Sequence, residues 1–358
     1  MEFYEKSLES AKGNFVCSPL SAAALLSMAA YGARGTTERE MKSKIHLPED
    51  DIVGQKGFRL LFETLDQINT IDYKQLQYIF TDDYVEINPD MNKMTSRYFR
   101  TVPQNVNFKD AKKAAKIINA WCKKNTNNTI KDIVQPDDIT DALLVLVNAI
   151  YFKGRWKSQF KSEHTSLKPF FVDKHNSKLV EMMYDCNEYN FGFISDSKDF
   201  YVEIPYETND PNSSLSMFIM LPSEDNFESC LQEMNFKEMH DERNIEKLEL
   251  IMPKLKLTST LDLQSTLEKM GMHEMFSDRA NFSAISNIPL KITKIKQKAF
   301  IEVNEVGTKA AASTAMVGKL KSAGLLRLII NKPFHWVIAH IETNTILFAG
   351  YVRDPTYY

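Results

Sequence analysis

Cysteine is scarce: only Cys17, Cys122, Cys186 and Cys230 occur in 358 residues, without paired spacing or zinc-type clustering. That argues against a disulfide scaffold and a cysteine-based metal site, and leaves buried free thiols as the reading. The seven histidines, His46, His164, His175, His240, His273, His335 and His340, show no metal-ligand spacing, and no His-Glu-x-x-His occurs. A Gly-x-Ser-x-Gly elbow and a phosphate-loop pattern are also missing. Gly32-Ala-Arg-Gly35 follows no strand and does not fit a dinucleotide fingerprint. The sequence therefore offers no case for an enzyme. With no apolar run of about eighteen residues, no membrane-spanning helix is expected. A net charge of −3 argues against a general nucleic-acid binder. Met1-Glu-Phe-Tyr-Glu-Lys6 lacks the basic-then-apolar pattern of a secretory leader. No Pro/Gly/Ser-rich linker divides the chain, so one domain over 1–358 is expected, with 43% hydrophobic residues to fill its core.

Periodicity supplies a coarse map. Residues 1–13 read as a short amphipathic helix, and Ser18-Pro19 opens a second, Ala- and Leu-rich and buried, through Ala30. A turn at Gly32–Thr37 precedes a short helix capped by Thr36 or Thr37, and residues 51–70 are helical. A strand is expected within Thr81–Ile87. Residues 109–124 form a helix carrying Lys109, Lys112, Lys113, Lys116, Lys123 and Lys124. Such a face can bind a glycosaminoglycan, but a solvated surface is the simpler reading. Leu143–Phe152 is a near-continuous apolar run, as for a strand buried on both faces. Asn148 sits in its middle and needs hydrogen-bond partners there, read as Ser18 and Ser21. Several strands follow in residues 165–222, another at Leu248–Leu257, a helix at Leu261–Met270, and a final hairpin turning at Glu342-Thr-Asn-Thr345.

Between strand-like Lys298–Asn304 and Leu328-Ile-Ile330 lies Glu305–Leu328, rich in small residues and long for a loop. Read at strand period, Thr308, Ala310, Ala312, Thr314, Met316 and Gly318 point one way, while Lys309 and Ser313 point the other. Fully extended, fourteen such residues span roughly 45 Å. The stretch is built as if to become a central strand; a flexible Ala/Ser/Gly linker is the plain alternative.

Glu305, Gly307, Thr308 and Ala310-Ala311-Ala312-Ser313 resemble the hinge of an inhibitory serpin's reactive-centre loop. The likeness continues in Asn14–Ser21, Leu146–Trp156, Asn331–Phe334 and Leu347–Pro355, in family order and spacing, and so covers nearly the whole chain. It implies an α+β fold with three β-sheets, eight or nine helices and an exposed loop. By resemblance, Ser18, Ser21, Asn148 and Gln297 form the polar cluster that controls opening of the central strands. Trp156 marks the upper end of the sheet, and Lys254 pairs with Glu305. The lysine-bearing helix lies across the large sheet and shifts when a strand is added.

Counting family spacing from Gly307 sets the cleaved bond between Lys321 and Ser322, with Leu320 and Lys319 in neighbouring subsites. The resemblance implies that a target protease attacks Lys321 and forms an acyl-enzyme. The freed loop then inserts into the large sheet, and the distorted protease cannot deacylate. A trypsin-like serine protease is the expected partner. Leu320 also suits a papain-like cysteine protease, and a non-inhibitory carrier or chaperone runs against the clean hinge. Gln297 replaces a frequent family histidine, Val306 a commonly charged residue and Lys309 a commonly acidic one; none breaks the inward row. No cofactor is expected, with glycosaminoglycan activation unsupported beyond the lysine face. The chain is expected to be a secreted monomer, a cytoplasmic setting being the alternative. The family's first helix is usually longer, which suggests a trimmed mature form. Asn127, Asn212 and Asn281 head glycosylation sequons.

Overall fold

A computed structural model describes residues 2–68, 70–194, 199–210, 214–222, 234–241, 244–307 and 325–355. The first helix is shorter than the amphipathic pattern suggests, α1 Glu2–Leu8, and strand β1 Phe15–Cys17 follows. Helix α2, Pro19–Gly32, starts where Ser18 caps it: the Ser18 hydroxyl accepts from the Ser21 N–H, and proline occupies the first turn. Twelve of its residues are buried, so it runs through the interior.

Helix α3, Gly35–Lys44, begins earlier than expected, after Arg34 and without a side-chain cap. Thr37 was a candidate cap, but its hydroxyl instead accepts from the Asn281 N–H of a distant loop at 3.0 Å. Helix α4 spans Asp51–Asp66. The strand expected at 81–87 lies upstream as β2, Ile71–Asp82. Helix α5 (Pro89–Phe99), β3 (Gln104–Val106), α6 (Ala111–Asn125), the single turn α7 (Pro136–Ile139) and β4 (Leu144–Gly154) come next.

The middle of the chain supplies β5 Ser166–Phe171, β6 Ser177–Phe193, β7 Phe200–Pro205, β8 Leu215–Leu221 and α8 Phe236–Asp241. The apolar stretch expected as one strand at Leu248–Leu257 is two, β9 Ile245–Pro253 and β10 Leu255–Asp262, which break around Lys254 and enter different sheets. Pro253 has no N–H to donate to a ladder, so it sits at a strand end. Helix α9 is shortened to Gln264–Lys269 because Leu261 and Asp262 finish β10. Strands β11 (Lys294–Val303), β12 (Leu326–Ile329), β13 (Phe334–His340) and β14 (Thr345–Val352) complete the chain.

The five-stranded sheet runs β10-β11-β4-β2-β3. Strand β4 is its centre and is buried along almost its whole length, which is why it reads as an uninterrupted apolar run. The other strands form one nine-stranded hydrogen-bonded system joined through the long β6. One part of β6 pairs with β5 and β9, and its last four residues pair with β7. The second and third expected sheets are therefore continuous through this strand. Helix α6 packs Ala114, Ala115, Ile118 and Cys122 over Val145, Val147 and Ala149 of β4 on the outer face of the five-stranded sheet. Helix α2 lies beneath the opposite face, against Leu144 and Leu146.

Candidate functional site: the central seam and its hinge

The middle of the five-stranded sheet is a parallel pair. Strand β11 lies directly against β4, in register from Lys294 opposite Val145 to Ile301 opposite Phe152. Both neighbouring pairs, β10 with β11 and β2 with β4, are antiparallel. The seam is thus the one junction between these two halves of the sheet, and no strand separates β4 from β11.

On the inner face the seam is tied by side chains. Gln297 and Asn148 are opposite each other in register, and the Gln297 amide donates to Asn148 Oδ1 at 2.7 Å. The Asn148 amide donates to Ser21 Oγ at 2.5 Å and to the Leu76 carbonyl at 3.1 Å. Gln297 Oε1 accepts from the Ser18 N–H at 2.9 Å, its Nε2 donates to the Ser18 carbonyl at 3.0 Å, and the Ser18 hydroxyl donates to the Leu347 carbonyl at 2.5 Å. All four side chains are fully buried. The structure brings Ser18, Ser21, Asn148 and Gln297 together, although Asn148 reaches Ser18 only through Gln297. Buried amides are tolerable here because each main bonding direction has a partner.

Above the seam, β11 runs straight into Asn304–Gly307, which is docked on the segment leaving β4. The Trp156 N–H donates to the Val306 carbonyl at 3.2 Å, and the Phe160 N–H to the Glu305 carbonyl at 2.9 Å. The Trp156 indole donates to the Asn304 carbonyl at 2.8 Å. Trp156 itself is buried and stacked on Tyr206, with ring centroids 4.4 Å apart. Gly307 has φ +87, and a Cβ there would lie 2.0 Å from the Gly154 carbonyl oxygen, so only glycine fits this close approach.

The Glu305 carboxylate accepts from the Thr165 hydroxyl at 2.8 Å and lies 3.3 Å from Lys254, which also contacts Glu181 at 3.4 Å. Burial of Glu305 opposes its ionisation. Hydrogen bonds from its own backbone and Thr165, with the Lys254 charge, outweigh that and hold its pKa below the ordinary 4.5. Lys254 and Glu305 are only 14% and 13% exposed, so the pair expected from sequence is a sheltered one.

Thr308, Ala310, Ala311, Ala312, Ser313, Lys319, Leu320, Lys321 and Ser322 lie outside the described residues, as do Asn212 and Cys230. Among the sequons, Asn127 and Asn281 are exposed; the Asn127 amide donates to Tyr151 Oη at 2.8 Å. The lysines of α6 are exposed, the solvated face expected. Cys17 and Cys122 are buried free thiols, and Cys186 is a free, half-buried one.

Sequence reasoning missed Thr165 and the carbonyls of Asn304, Glu305 and Val306 as hinge contacts. Backbone acceptors carry no residue signature. It also passed over the lysines of β11, although Lys294, Lys296 and Lys298 recur at strand period and were there to be found.

The mixed sheet with a parallel central pair, running into a docked glycine turn, defines a fold to which the comparisons give a family. Residues 1–355 match the family profile described as Serpin (serine protease inhibitor). Human neuroserpin is 32% identical over 96% of this chain and 86% of its own length. Bovine leukocyte elastase inhibitor is 32% identical over 96% of this chain and 93% of its own. Among solved structures, Serpin48 of the insect Tenebrio molitor superposes with a TM-score of 0.86 at 27% identity, covering 99% of this chain and 95% of that one. The chain belongs to the serpin family and has its fold.

Proposed function

We propose that this chain is a suicide-substrate inhibitor of a trypsin-like serine protease, with Lys321–Ser322 as the bait bond. The observation that carries the reading is the parallel β4–β11 seam, whose upper end continues directly into the glycine hinge. A loop that turns back at Gly307 runs antiparallel to β11, and therefore to β4 as well, so the seam accepts it with a complete ladder on both sides. The polar cluster of Ser18, Ser21, Asn148 and Gln297 then governs separation of the two strands, and Trp156 with Lys254 guards the upper end.

Cleavage after Lys321 leaves an acyl-enzyme on a loop free to move. Insertion forms about a dozen strand hydrogen bonds worth roughly 1 kcal/mol each net. The native form is then a kinetic trap that the protease springs. Lysine at the bait position suits an acidic primary pocket. The bovine relative is named for leukocyte elastase, so family membership alone does not choose the target. Leu320 favours a second reading, inhibition of a papain-like cysteine protease with an apolar subsite. The exposed Asn281 sequon suits a secreted setting.

Incubation with trypsin is expected to yield an SDS-stable complex and release a peptide beginning at Ser322. Cleavage without complex would reject the trypsin-like target. Complex formation with a papain-like enzyme, while trypsin only digests the loop, would transfer the reading to that class.

A further inference from the structure

Every second residue at the start of β11 is a lysine that faces α6: Lys294, Lys296 and Lys298. In register beside them on β4 stand Val145, Val147 and Ala149, which pack under α6 and the stretch that follows it. Ammonium groups on a covered sheet face are costly unless their charges are met. These are met, and chiefly by one segment, residues 126–143 between α6 and β4. Lys298 Nζ donates to the Lys131 carbonyl at 2.5 Å and approaches that of Asp132 at 3.5 Å. Lys296 Nζ lies 2.9 Å from Asp138, with both side chains 15% exposed. Lys294 lies 3.9 Å from Asp138 and 2.8 Å from Asp262. Lys298 is half-buried, and burial pulls its ammonium below its ordinary pKa, with the Asp132 charge opposing.

The two carboxylates stand on opposite sides of the seam. Asp262 belongs to β10, is paired in register with Lys296, and moves with β11. Asp138 belongs to α7, whose Ile139 packs with Ile133, Val134, Val145 and Val147 on the β4 side. A strand entering between β4 and β11 widens the seam by about 4.8 Å. That stretches Lys296–Asp138, and the longer Lys294–Asp138 approach, well past contact, and leaves both lysines their contacts to Asp262, 2.8 Å from Lys294 and 3.7 Å from Lys296.

We propose that the lysine row of β11 is a latch across the outer face of the seam, and that Lys296–Asp138 is the contact whose rupture sets the rate of strand insertion. It complements the amide tie of Gln297 and Asn148 on the inner face. Because a trapped protease requires insertion to outrun deacylation, the latch sets the division between trapping and turnover. This inference rests on the insertion reading above but not on any particular protease.

The test is uptake of a synthetic peptide of residues 308–320 by the full, uncleaved chain, followed by native electrophoresis. Asp138→Asn keeps an oxygen for the Gln135 N–H that Asp138 Oδ2 accepts at 2.9 Å, and removes the charge. Lys296→Gln leaves that cap untouched. Both variants are expected to take up peptide about five-fold faster than the wild type. Added salt should accelerate the wild type more than either variant. Asp262→Asn, on the same side of the seam as β11, should leave the rate within about two-fold. Uptake by all forms at one rate overturns the latch and leaves insertion standing, as does equal acceleration by Asp262→Asn. No uptake by any form overturns both.

Discussion

Gly307 shows how one absent methyl group can hold a conformational state. Its φ of +87 costs a non-glycine residue about 1–2 kcal/mol, before any contact is considered. The Cβ would also press on the Gly154 carbonyl, the Arg155 Cα and the Trp156 N, all main-chain atoms that cannot swing aside. Gly307→Ala is therefore expected to undock the hinge of the intact protein and lower its melting temperature by several degrees. The cleaved form should be almost unaffected, since an inserted residue 307 has extended backbone that alanine adopts freely. Thermal melts of both forms check this, and equal loss in the two would sink it. The glycine stood out in the sequence as part of a motif; its packing against residues 154–156 had no signature there. Ser18 was more legible, because serine before proline at the head of an apolar run states its capping role locally.

Elements were legible where burial is uniform and obscure where it changes along their length. Strand β4 is covered on both faces, so its composition alone gave it away. Strand β2 misled, because its first six residues, Ile71–Leu76, are half-buried or exposed, which lets Asp72, Lys74 and Gln75 intrude on the pattern. The β9–β10 pair misled differently, since continuous hydrophobicity hides a change of sheet at Lys254. That corner bears on the hinge. Glu305, against Lys254 and Thr165, has a folded pKa below its unfolded one. Its contribution is therefore present above the ordinary carboxyl range and is lost as pH falls through the depressed value. Uptake of the loop peptide should accelerate as pH drops below about 4.5, by roughly five-fold for a contact worth about 1 kcal/mol. Glu305→Gln should already be faster at neutral pH and show a flatter profile. A variant as pH-sensitive as the wild type would remove Glu305 as the titrating restraint.

At the scale of the molecule, the sheet carries a parallel junction at its middle, between two antiparallel pairs. Parallel pairing is slightly less favourable per residue than antiparallel pairing, and the β4–β11 seam is flanked by antiparallel pairs on both sides. One antiparallel strand added there replaces a parallel junction with two antiparallel ones and makes an all-antiparallel run from β10 to β2. The gain is about 12 kcal/mol if a dozen bonds form at about 1 kcal/mol each. For a chain of this size that corresponds to a rise in melting temperature of roughly 15 °C. Scission within residues 308–324 by a protease that is not trapped is therefore expected to make the protein markedly more heat-resistant, as read by calorimetry on intact and nicked samples. A nicked protein that melts with the intact one, its new terminus still open to further digestion, would mean that the seam stays shut. The small-residue row beginning at Thr308 would then be a linker, and the ties at Gln297, Asn148, Lys296 and Asp138 would be ordinary packing rather than controls on a strand's passage.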